Sequence, residues 1–153
     1  MVSRVSPDPA GLAPALVDWL RRPRSPGFSA GHEPAPGWEA DPPLDELHCH
    51  PDLIARLAEA ARPIAGVRRR FVAGCPVIEH PRGRPIAAAA GASWLAVRSD
   101  LPAGALGVVP MATALGPEWL QMNPWSENVA FARALDLLRA HVARAYELAG
   151  AGA

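Results

Sequence analysis

Four short apolar-rich runs follow one another between residues 67 and 99: VRRRFVAG, PVIEH, PIAAAA and SWLAVRS. They are separated at GC, whose glycine closes the first run, at PRGR and at GA, which is turn chemistry. A parallel pair of strands needs a crossover of a dozen residues or more, and none is available here. The spacing therefore predicts an antiparallel meander. Within SWLAVRS, Trp94, Ala96 and Arg98 alternate with Leu95 and Val97. Successive strand residues point to opposite faces, so this alternation predicts one wet face.

Helical periods flank the meander. PDLIARLAEAARP places Leu53, Ile54, Leu57, Ala58 and Ala61 on one side, with Pro51 at the first helical position and Pro63 as the stop. A strand is expected at EWLQM. A long amphipathic helix is expected over 127–149, capped by Ser126, with a stripe through Phe131, Leu135, Leu138, Val142, Ala145 and Ala149. At 23 residues it would run roughly 35 Å, enough to cover a small sheet. Half of the 18 prolines fall in residues 1–45. That stretch reads as a proline-rich arm with one short helix in AGLAPALVDWLRRP, followed by an irregular linker. The expected organisation is an arm over 1–45 and a domain over 46–150. The fold class is α+β: an antiparallel β-sheet meander covered by helices on one face, with a long C-terminal helix.

Charge narrows the function. Fifteen basic residues, all arginine, balance fifteen acidic ones. Without a net field, nucleic acid is not an expected partner, nor is an anionic membrane surface. No apolar run approaches the roughly 18 residues that span a bilayer, and MVSRVSPDPA lacks the apolar core of a signal peptide. Two cysteines are too few for a disulfide scaffold, so a reducing cytoplasm is the expected compartment.

The octapeptide DELHCHPD, residues 45–52, raises the question of a metal site. HxH motifs serve amidohydrolases and PHP-type phosphoesterases, but those barrels take roughly 200 residues or more. This chain has 153 and no strand–helix alternation. A smaller zinc set of His48 or Cys49, His50, Cys75 and His80 would satisfy tetrahedral arithmetic. The competing reading makes His50 a polar residue leading into a helix. A thiol pair of Cys75 with His80 is a further possibility if paired strands bring them together. No GxSxG elbow, Walker or dinucleotide glycine pattern occurs, so no cofactor is expected.

Two other groups stand out. Arg68 and Arg70 share one face of a strand and, with Arg82 and Arg84, would make a basic patch. The patch fits either a charge-guarded edge or a seat for an acidic peptide or phosphate. Trp94, Trp119 and Trp125 either close a core or line a small-molecule pocket.

From DLIARLAEAARP through VRRRFVAG and the turn glycine Gly83 to AVRSD, the order of elements resembles the N-terminal domain of TfoX and its YjbR-like relatives. Arg70, Phe71 and Gly74 fall on that family's rMFGG stretch, Ala87 or Ala88 after the turn glycine, and Val97 to Asp100 at the strand end. EWLQMNPW and ARALDLLRAHVARAYELA resemble the closing strand and last helix, so the likeness covers about residues 47–149. FVAG stands where the family has MFGG. The resemblance implies an α+β architecture and a regulatory or interaction role, and it carries no catalytic residue. The leading expectation is a non-enzymatic protein-interaction module. The alternatives are a zinc- or thiol-dependent enzyme at His48, His50, Cys75 and His80, and a tryptophan-lined ligand binder. No pattern sets an oligomeric state.

Overall fold

A computed structural model describes residues 14–24, 27–31, 37–40, 46–101, 109–110, 119–125 and 131–151. In chain order the elements are α1 (Pro14–Arg21), β1 (Glu39–Ala40), α2 (Pro51–Ala61), β2 (Arg68–Val72), β3 (Cys75–Glu79), β4 (Pro85–Ala90), β5 (Trp94–Arg98), β6 (Val109–Pro110), β7 (Trp119–Met122) and α3 (Phe131–Ala151). The strands form one sheet in the order β1-β2-β3-β4-β5-β7-β6. From β2 to β5 each strand pairs antiparallel with the next, and β7 joins β5 antiparallel. This is the meander that the run of strands predicts, and the class is α+β.

Turn chemistry sets the registers. Ala73 (φ 54°) and Gly74 (φ 79°) link β2 to β3 across the Val72–Cys75 pair. Two central residues at positive φ make the turn whose twist matches the flanking strands. Between Ile78 and Glu79 the register of β3 on β4 shifts. The shift turns Ile86 to the same side as Ala87 and Ala89, where all three join one core.

The sheet is covered on both faces. On one side α2 supplies Leu53, Leu57 and Ala61, and α3 supplies Leu138, Val142, Ala145 and Ala149, packing on Phe71, Ile78, Leu95 and Val97. On the other, α1 lays Leu16, Val17, Trp19 and Leu20 on Val72, Cys75, Val77, Ala88, Ala90, Ala96 and Trp119. An isolated eight-residue helix is unstable in water. Burial of four side chains at about 1.5–3 kcal/mol each holds α1 in place.

This differs from the expectation of helices on a single face. It also corrects the wet face read from SWLAVRS, since Ala96 is fully buried beneath α1. Two further strands were not expected. β1 pairs parallel with β2 out of the proline-rich arm, and β6 pairs with β7 out of the loop after Asp100. Ser126, the expected cap of the last helix, lies outside the described residues. Among the described residues no helix is long and apolar enough to cross a membrane.

The hairpin turn after β3 clasps the end of α3. The Arg84 guanidinium donates to the Ala149 carbonyl at 2.8 Å and that of Arg82 to Gly150 at 3.2 Å. Cations there meet the negative end of the helix dipole and the carbonyls it leaves unbonded.

Candidate functional site

Residues 46–50 run as an extended strap across one end of the sheet. The His48 amide donates to the Gly74 carbonyl at 2.7 Å, the Gly91 amide to the His48 carbonyl at 2.9 Å, and the His50 amide to the Gly91 carbonyl at 2.8 Å. Alternation along the strap sends Leu47 and Cys49 into the core and His48 and His50 outward. Gly74 is required where the strap crosses it: a Cβ there would lie 2.6 Å from His48 Cδ2 and 2.8 Å from the Glu46 carbonyl oxygen.

His50 is the N-cap of α2. Pro51, at the first helical position, has no N–H. The first helical amide to be satisfied is that of Asp52, and it donates to His50 Nδ1 at 3.0 Å. An accepting Nδ1 carries no proton, so the neutral ring bears its hydrogen on Nε2. Phe28 packs on the imidazole with ring centroids 4.5 Å apart.

Beside this cap an open hollow of about 190 Å³ is lined by His50, Asp52, Ala92 and Trp125. The Trp125 ring is fixed on its edge and on one face. Its Nε1–H donates to the Ala92 carbonyl at 2.9 Å. The Arg56 guanidinium stacks 5.0 Å from the ring centroid. Arg56 is buried, and desolvation holds its pKa below the ordinary arginine value.

The four expected metal ligands do not come together. His48 Nδ1 shares a hydrogen bond of 3.1 Å with Ser29 Oγ. His50 Nδ1 is engaged by the Asp52 amide. Cys75 is fully buried beneath α1, its Sγ–H directed at the Leu20 and His48 carbonyls, each 3.7 Å away. Burial pushes its thiol up to about 12 and raises that of Cys49 as well. Cys75 begins β3, while His80 follows its last residue. Five residues of strand separate the two by roughly 16 Å, so they do not form a thiol–imidazole pair. His80 instead packs on Tyr146, centroids 4.6 Å apart, and its Nδ1 accepts the Arg82 amide at 3.1 Å. Among the described residues no group of three or more His, Cys, Asp or Glu side chains is placed to hold a metal ion.

Nor do the arginines form a bare patch. Arg68 reaches Glu39 at 2.8 Å and Glu79 at 3.5 Å, and the buried Arg70 lies 3.6 Å from the same Glu79. Burial raises the Glu79 pKa against the pull of both guanidiniums. Hydrogen bonding to Arg68 holds the Glu39 carboxyl below its usual range. Arg82 and Arg84 are engaged at the end of α3.

The tryptophans divide between faces. Trp94 and Trp119 pack under α1, whereas Trp125 packs at the edge of the α2–α3 core, so the three line no common pocket. Asp52 and Ala92 complete the hollow, with Phe28 against the His50 ring and Arg56 against the Trp125 ring, and the sequence marks none of the four as a site residue. The readable signal was Pro51, which marks His50 as a cap. Nothing local tells that Trp125, more than 70 residues later, closes the other side.

The chain matches no protein-family model, no curated protein and no solved structure. Fold and site together define a class in their own terms: an α+β protein with a sheet covered on both faces and a surface hollow set at a histidine-capped helix start. Its particular character is the ring-lined lip of that hollow, where imidazole, indole and carboxylate meet.

Proposed function

We propose that the protein is a protein-interaction module whose contact point is the hollow at His50, Asp52, Ala92 and Trp125. The observation that carries this reading is the size and build of the hollow. At about 190 Å³ and open to solvent, it is smaller than the roughly 300–1,000 Å³ typical of small-molecule and cofactor sites. It suits one anchoring side chain of a partner, held by an indole with a fixed orientation. The burial of both thiols supports this reading over thiol chemistry, because a protonated, enclosed sulfur is a poor nucleophile. The order of α2, meander and long α3 supports the likeness to the TfoX N-terminal and YjbR-like domains, which belongs to the same proposal. So does a reducing cytoplasmic location, supported by two free cysteines.

A photoreactive benzophenone side chain placed at Asp52 tests the reading in the native cell. It is expected to give a discrete protein adduct, with none from the same group at Ala143 on the exposed side of α3. Ala92→Arg, which fills the hollow, should abolish the Asp52 adduct. Equal adducts from both positions, or an adduct indifferent to Ala92→Arg, would overturn the proposal.

A further inference from the structure

The imidazole that starts α2 is also the lip of the hollow. Helix caps are ordinarily Ser, Thr, Asp or Asn. Histidine differs from these in that its ring changes charge between pH 5 and 8. The bond it makes here exists in only one of its two charge states. A neutral ring offers the Nδ1 lone pair to the Asp52 amide at 3.0 Å. Once Nδ1 is protonated it can only donate, so the amide loses its acceptor. The imidazolium then also sits at the positive end of an 11-residue helix. A second partner stands ready: Asp52 Oδ2, 3.9 Å from the same nitrogen.

The charged groups around the ring are few among the described residues. On α2 they are Asp52 and, behind Trp125, the Arg56 guanidinium, which opposes a second positive charge. On the strap they are Glu46 and His48, the latter bonded to Ser29. The segment 27–31 presents Phe28 and no charge, the β4–β5 turn presents Ala92, and residues 123–125 carry none. Among the described residues, Asp52 is thus the carboxylate placed to take the ring's new proton donor.

We propose that His50 is a pH-operated cap. Acidification turns the ring from the Asp52 amide to the Asp52 carboxylate, loosens the first turn of α2 and adds positive charge to the hollow. Control of partner binding by this step rests on the interaction reading above, but the step itself does not.

Nuclear magnetic resonance of the full chain between pH 8 and 5 tests it without any partner. The Asp52 amide and the Trp125 indole N–H are expected to shift together with the His50 ring resonance, sharing one midpoint. His50→Asn keeps a capping acceptor that does not titrate. In that variant both shifts should vanish while the thermal midpoint at neutral pH is retained. His48→Gln should leave them in place. An Asp52 amide that stays flat across the range, or that still titrates in His50→Asn, overturns the switch. Such a result leaves the Asp52 cross-link as the separate test of the interaction reading.

Discussion

Trp19 holds the second covering layer, and its removal should lift α1 from the sheet. The side chain is 1 % exposed, its Nε1–H donates to Gln121 Oε1 at 3.0 Å, and the Arg24 guanidinium stacks 4.4 Å from its ring. Truncating a buried tryptophan to alanine costs about 3–5 kcal/mol. The lost indole bond adds about 1 kcal/mol, much of which water recovers at the half-buried Gln121. With about 1.4 kcal/mol for each factor of ten, the open population of α1 rises by roughly a hundredfold to a few thousandfold. Cys75 reports the opening directly, since α1 is what seals it. In a Cys49→Ala background, Trp19→Ala is expected to speed the reaction of Cys75 with an aromatic disulfide reagent by that factor. In the reciprocal Cys75→Ala background, Cys49 lies under the opposite layer and should react more slowly than Cys75 in either protein. An unchanged Cys75 rate together with an unchanged thermal midpoint would refute the reasoning that Trp19 pins the helix.

Four further outcomes are expected. Ala73 sits at φ 54° in a position that favours glycine, so Ala73→Gly should raise stability by on the order of 0.5 kcal/mol after the added chain entropy is set against the relieved strain, read as a higher thermal midpoint. Gly74→Ala, forced against the strap, should lower stability by about 2–3 kcal/mol in denaturant titration. Burial lowers the pKa of His141, whose Nδ1 lies 2.9 Å from Ser99 Oγ. A depressed folded value means stability that is present above the unfolded pKa of about 6.5 and is lost as pH falls through the folded one. The urea midpoint should therefore drop between pH 7.5 and 5, and His141→Gln should flatten that drop. Arg84→Ala removes the cation bonded to Ala149, and hydrogen exchange of the last-turn amides of α3 should quicken, reflecting a local loss of about 1 kcal/mol.

Much of the fold is legible in the chain because the strands are short and the turns between them leave no room for a crossover. α2 is legible because Pro51 and Pro63 bracket an amphipathic period, and it spans Pro51–Ala61 as that bracketing implies. The covering of the second face was less readable, although β4 held a clue. Every residue from Ile86 to Ala90 is buried, and an unbroken apolar run is what a strand covered on both sides looks like. β1 and β6 are pairings of two residues each, too short for any period to register. In the site, the neighbouring histidines drew attention as a pair, yet adjacency along an extended strap says little about convergence. His80 and Cys75 lie at opposite ends of one strand, and only the sheet shows that. The hollow depends on Trp125 meeting the start of α2, a long-range contact that no local pattern carries.

The clasp of Arg82 and Arg84 on the end of α3 also bears on the order of assembly during synthesis. The two bonds join positions 68 and 65 residues apart in the chain. The hairpin that supplies the guanidiniums leaves the ribosome several seconds before the carbonyls that receive them, at translation rates of roughly 5–20 residues per second. Through that interval the face of the meander later covered by α3 waits uncovered. Closure of this face is thus a late, long-range event governed by the arrival of α3.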